Sequence, residues 1–176
     1  MRRLLWALAY LVCMAYPAKA PTYSPSPFSV VFGHCGIRDP CFIAPNNGGY
    51  LYEFLQAAEA VNRGDKNLVV INTACGSACV LFADRARERV CIGELAVFQF
   101  HKGTRRHWTG FRQYPPEIWN VRFDPSHSSD IDSWVRERGG YPADGWLDMT
   151  YQEARRFWRP CDFNNLLPRP DPRGSF

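Results

Sequence analysis

Short apolar runs alternate with amphipathic stretches along this chain, and the period of the alternation changes. Residues 28–32, Phe-Ser-Val-Val-Phe, are mostly apolar with two adjacent valines, which predicts a short buried strand. A second apolar piece, residues 41–44, leads into the turn Pro-Asn-Asn-Gly-Gly at 45–49. From Tyr50 the period becomes helical: Leu51, Phe54, Leu55, Ala58 and Val61 fall on one face, and Gly64 closes the helix. Residues 67–72 predict the next strand. A helix is expected just after Ser77, carrying Val80, Leu81 and Phe82, and two further strands at 89–93 and 95–100.

Turn, helix, strand, tight turn, helix, strand, strand is the order expected of an α/β domain with a mostly parallel sheet, its loops gathered at the carboxyl ends of the strands. Beyond His101, residues 102–127 are long, aromatic and basic with two consecutive prolines, an irregular excursion whose simplest reading is a solvated basic loop. Residues 128–140 resume as a helix capped by Ser128 or Ser129 and closed by Gly139 and Gly140. Thr150-Tyr151-Gln152-Glu153 is a capping box opening a last helix that stops at Pro160. Trp119, Trp134, Trp146 and Trp158 fall within or beside these patterns and are expected to pack in the core or an interface.

The N-terminus changes the picture. Two arginines, an apolar run from Leu4 to Tyr16 and Ala18-Lys19-Ala20 form the pattern of an export leader over residues 1–20. The run is short for a bilayer span, so membrane association enters only if the leader stays uncleaved, which Pro21 directly after the cut would favour. A tether at 21–27, one domain at 28–161 and a proline-rich, unstructured tail at 162–176 complete the organisation. A periplasmic or secreted location follows.

Export also decides how the cysteines are read. Outside the leader stand six: Cys35, Cys41, Cys75, Cys79, Cys91 and Cys161. An even number in an exported chain points to disulfides, and the spacings lack the second close pair that a zinc site would need. Cys75 and Cys79 bond to each other if the chain turns at Ser77; alternatively Cys91 takes one of them and Cys161 the other, with Cys35–Cys41 closing a small loop. The net charge of +4 is mild and partly due to the leader, so nucleic acid is not implied. No metal or cofactor is expected.

Candidate chemistry lies in three places: Gly48-Gly49 before a helix, Ser77 between a strand and a helix, and His101 at the end of a strand. Serine becomes a nucleophile when a base takes its proton, and imidazole titrates in the useful range. At a helix N-terminus, free N–H groups and the helix dipole favour an oxyanion, and glycine lets a second N–H approach because no Cβ obstructs it. The competing reading is structural: Gly76, Ser77 and Ala78 are small because the chain turns tightly between pinned cysteines, and His101 satisfies a carbonyl.

The order and spacing of these residues, 29 positions from Gly48 to Ser77 and 24 from Ser77 to His101, resemble the core of the Clp protease proteolytic subunit and its crotonase-fold relatives. From about Asn46 to Cys161, and most strongly from Val69 to His101, the chain also resembles small exported alphaproteobacterial proteins with Cys-x-Ser-Ala-Cys followed by Phe-His. The resemblance implies a trimmed Clp/crotonase-like α/β domain, with Ser77 as nucleophile and His101 as general base. It further implies an oxyanion hole from the Gly48 and Ala78 N–H groups and a third member at Asp144, with Asp148 as second choice. It departs in two places: residues 28–47 are too few for the usual strand–helix–strand unit, and two asparagines stand before Gly48. The implied function is an exported serine hydrolase of peptidase type acting on a peptide or small acyl substrate. The alternative is a catalytically silent binding or structural module, and both admit a homo-oligomer. Acyl-CoA chemistry fits poorly with export and disulfides.

Overall fold

The computed structural model describes residues 26–33, 35, 40–66, 68–103 and 126–166. The expected leader, residues 21–25 of the tether, Trp119 with the excursion from 104 to 125, and the tail from 167 lie outside the described residues.

The first element, α1 (Pro27–Phe32), is a helix where the apolar run predicts a strand. Ser26 Oγ accepts from the Ser29 N–H at 3.2 Å, and Pro27 occupies the start of the helix, where its missing N–H costs nothing. One turn then brings Phe28 and Phe32 together with ring centroids 4.9 Å apart. Both rings meet Phe82, and Phe32 stands edge-on to Phe54. Burying two aromatic rings against two neighbouring helices outweighs the strand preference of the valines, which is a weak and context-dependent term.

After β1 (Cys41–Phe42), helix α2 (Leu51–Ala60) follows the expected period, burying Phe54, Leu55, Ala57, Ala58 and Ala60 before a loosened turn, Val61–Asp65. Then come β2 (Val69–Ile71), β3 (Ala74–Gly76), α3 (Ala78–Arg85), β4 (Val90–Ile92) and β5 (Val97–Phe100). These strands divide between two sheets. In the first, of order β1-β2-β4-β7 with β7 at Arg159–Pro160, every pair is parallel. In the second, β3 and β5 run parallel while β6 (Leu147–Thr150) joins β5 antiparallel. The protein is thus mixed α/β with a mostly parallel sheet, as expected, but the stretch from Val69 to Gly76 is two strands on either side of a corner.

Asn72 makes that corner. Its Oδ1 accepts from the Leu95 N–H at 3.0 Å, joining the bend after β2 to the bend after β4. A Cβ at Gly93 would overlap the Asn72 side chain, so glycine is the residue that lets the two bends meet. The pair β2/β4 therefore continues, one bend later, as the pair β3/β5.

In the C-terminal part, α4 (Ser129–Glu137) begins after Ser128 and ends before Gly139, as the sequence predicts. The Thr150–Glu153 capping box also forms, with Glu153 Oε2 accepting from the Thr150 N–H at 3.1 Å. The helix it opens, α5 (Tyr151–Ala154), is a single turn rather than one reaching Pro160. Arg159–Pro160 instead forms β7 beside Cys91–Ile92, at the edge of the sheet where a proline is tolerated. A further helical turn, α6 (Phe163–Leu166), opens the segment expected to lack structure.

Three disulfides hold this frame: Cys35–Cys41, Cys75–Cys79 and Cys91–Cys161. The open question of pairing is resolved with Cys75 and Cys79 bonded to each other, so Cys91 takes neither. Cys91–Cys161 ties β4 to the residue after the edge strand across a sequence separation of 70, a loop closure worth about 4 kcal/mol on chain-entropy grounds. No helix among the described residues is long and apolar enough to cross a membrane.

Candidate active site

Ser77 and His101 meet because they leave adjacent parallel strands at the same end. The β3–β5 register pairs Cys75 with Phe98 and Gly76 with Gln99, and the ladder closes with the Ser77 N–H donating to Gln99 O at 2.8 Å. Immediately beyond, Ser77 Oγ lies 2.7 Å from His101 Nε2. The parallel sheet thus converts 24 residues of sequence separation into a hydrogen bond at the carboxyl end of the strands, where open α/β sheets carry their chemistry.

The chain reverses at Ser77 itself. Its φ of 56° makes it the one non-glycine residue in the left-handed region among the described residues. Its C=O accepts from the Val80 N–H at 2.9 Å, so α3 starts at once, while its side chain makes no capping bond. The hydroxyl is left for His101. Ala78 supplies the first N–H of α3, a donor with no acceptor inside the helix.

Gly48 approaches from the other side. The segment before it is held to β3 by two backbone bonds, Asn46 N–H to Ala74 O at 3.0 Å and Gly76 N–H to Asn46 O at 2.7 Å. With φ at 83°, Gly48 sits so close that a Cβ there would fall 2.6 Å from Ser77 Cβ and 2.8 Å from the Ala78 nitrogen. The expected close approach is therefore present, but the Gly48 N–H donates to Asn46 Oδ1 at 2.8 Å. The first of the two asparagines before Gly48 takes the donor that the oxyanion hole was expected to use.

Neither aspartate expected to orient His101 does so. Asp148, on β6, accepts from Gln99 Nε2 at 3.1 Å, and Asp144 is exposed in the turn before Trp146. No carboxylate among the described residues hydrogen-bonds the His101 ring. Trp146 lies against the ring instead: its centroid is 4.6 Å from that of the imidazole at an interplanar angle of 78°. The β5–β6 register explains why, since Phe100 pairs with Leu147 and one step further Trp146 comes opposite His101. The same indole also bounds Gly76, where a Cβ would lie 3.5 Å from Trp146 Cζ3. Trp146 is 45% exposed, a site residue rather than core packing, whereas Trp134 and Trp158 are buried as expected. Only the antiparallel register of β6 betrays it, and that strand has no distinct signal in the sequence.

Behind the pair, a charged cluster fixes the far end of α3. Asp84, 8% exposed, accepts from the Ser128 N–H at 2.7 Å and from Arg87 Nη2. Burial alone would raise its pKa, yet the His127 ring, the Ser128 N–H and hydroxyl, and the Arg87 guanidinium together hold it down at about 2. His127 Nδ1 stands 3.5 Å from Asp84 Oδ2, long for a hydrogen bond. Arg87 also bonds Asp130, whose carboxyl it pulls well below the ordinary range, and Asp130 holds the Arg87 guanidinium more firmly charged. His127 stands edge-on to Phe100, the residue before His101, so this cluster braces the strand that delivers the imidazole.

No three His, Cys, Asp or Glu side chains among the described residues come together as a metal site. A cleft of about 380 Å³ opens over the corner between the sheets, walled by Asn72, Gly93, Glu94 and Tyr151 among others, and includes neither Ser77 nor His101. The arrangement as a whole is that of a mixed α/β protein with a serine–histidine pair at the carboxyl ends of adjacent parallel strands. Comparison with models of known families, with curated proteins and with solved structures finds no match to this chain.

Proposed function

We propose that this protein is an exported serine hydrolase of Clp/crotonase type, cleaving a peptide or small acyl substrate by acyl transfer through Ser77. The observation that carries the reading is the 2.7 Å approach of Ser77 Oγ to His101 Nε2 at a strand-to-helix reversal. In the working tautomer Nε2 is unprotonated and accepts the hydroxyl proton as Oγ attacks the carbonyl carbon. The tetrahedral oxyanion then faces the N–H of Ala78 and the positive end of α3. Collapse expels the leaving group, which takes the proton from the imidazolium, and water repeats the sequence to free the acid. Three disulfides and the leader-like N-terminus support an oxidising, extracytoplasmic setting.

Two observations favour a second reading, a silent module on the same scaffold. The Gly48 N–H is engaged by Asn46, and no described carboxylate orients His101. Losing the orienting acid costs on the order of 10⁴ in turnover in serine proteases, so the hydrolase reading expects slow chemistry. Labelling by a fluorophosphonate probe separates the two: the hydrolase labels and Ser77→Ala does not. Folded protein that fails to label supports the silent module.

A further inference from the structure

The disulfide Cys75–Cys79 brackets Ser77 with one residue between it and each cysteine, and both cysteines are fully buried. A bond closing so short a loop constrains the unfolded chain far less than Cys91–Cys161 does, so global stability is a poor account of it. The backbone at Ser77 does need something. A side chain with a Cβ at φ 56° is disfavoured and persists only where its surroundings over-determine it.

The alternatives open to the segment show what the bond excludes. If the chain ran on extended through Ser77, the Cα atoms of residues 75 and 79 would lie about 13 Å apart, beyond any disulfide. They lie 5.3 Å apart. If instead α3 extended backwards through Ser77, the bonds from Gly76 N–H to Asn46 O and from Ser77 N–H to Gln99 O would be lost. The sheet forbids the helical path and the disulfide forbids the extended one. What remains is a sharp reversal at Ser77, with Oγ directed at His101.

We propose that the Cys75–Cys79 disulfide is a positioning bond for Ser77, holding the left-handed reversal that keeps Oγ on His101 Nε2. Its consequence for chemistry rests on the hydrolase reading; its consequence for geometry does not.

Two full-length variants test it side by side: Cys75→Ala/Cys79→Ala and, as a matched control, Cys91→Ala/Cys161→Ala. The ¹⁵N shifts of the His101 ring report the Ser77 hydrogen bond, and the labelling rate of Ser77 by a fluorophosphonate reports reactivity. The expected result is a folded Cys75/Cys79 variant with altered His101 shifts and labelling at least tenfold slower, beside a control that melts lower yet keeps both signatures. Native His101 shifts in the Cys75/Cys79 variant would overturn the proposal. Should that variant not fold, Cys75→Val/Cys79→Ala, which restores apolar volume, takes its place. Failure of both pairs to fold also overturns it, because the bond would then serve the fold as a whole. If the wild-type protein does not label, the hydrolase reading falls while the His101 shifts still decide the positioning role.

Discussion

Ser77 Oγ and His101 Nε2 stand 2.7 Å apart because β3 and β5 are parallel neighbours that end together. The pair is thus a property of sheet register, while its directionality comes from one residue's backbone. Four consequences can be measured.

Ser77→Gly removes the proposed nucleophile and relieves the left-handed backbone at once. The Ser77 side chain makes no capping bond to α3, so nothing is lost there to offset the gain. The variant should be more stable than wild type by about 1 kcal/mol in urea unfolding and should not label with a fluorophosphonate. A loss of stability would mean that the Ser77–His101 bond contributes more than the backbone costs.

Gly48→Ala should behave in the opposite way. The new Cβ would meet Ser77 Cβ and the backbone of Gly76 and Ala78, none of which is a flexible chain end, and φ at 83° is itself unfavourable to alanine. A destabilisation of about 2–3 kcal/mol is expected, read from the urea midpoint at unchanged slope. A variant as stable as wild type would show that the turn can move away from α3.

Trp146→Ala tests what steadies the imidazole. An edge-to-face aromatic contact is worth about 1 kcal/mol, so the labelling rate of Ser77 should fall roughly fivefold. Trp146→Phe should recover most of it. Because Trp146 is half exposed, the melting temperature should change little in either variant.

Acid should weaken the protein through Asp84. Its carboxyl is depressed from 3.8 to about 2 in the folded state, so the unfolded chain takes up its proton first. The stabilisation is complete above pH 4 and is lost as the pH falls from about 4 through 2, amounting to roughly 2 kcal/mol. Unfolding free energies measured between pH 5 and 2 should show that slope. In Asp84→Asn the slope should be reduced and the stability at neutral pH lower, since Arg87 then loses a buried partner.

Much of the scaffold around the site is written locally. The i, i+3, i+4 spacing from Leu51 carries α2, the small residues at 76–78 mark the reversal, and Thr150 with Glu153 marks a helix start. Each is a relation among residues within a turn or two, where side-chain period and hydrogen-bonding reach act directly. The stretch at 28–32 misleads because its valines favour a strand, whereas the Ser26 cap, Pro27 at the first position and contact with Phe54 and Phe82 make a helix the better burial.

By itself, then, the sequence determined the α/β alternation, the even set of cysteines and the candidates Gly48, Ser77 and His101 in their order. The tertiary structure decided which cysteines bond and that the strands bend at Asn72 into two sheets. It also decided that Asn46 occupies the Gly48 N–H, and that Trp146 rather than Asp144 or Asp148 lies against His101. These are pairings across space, set by register and by the direction in which a side chain leaves its strand. Local periodicity constrains neither, because a shift of one residue in β6 would place Gly145 or Leu147 where Trp146 now stands.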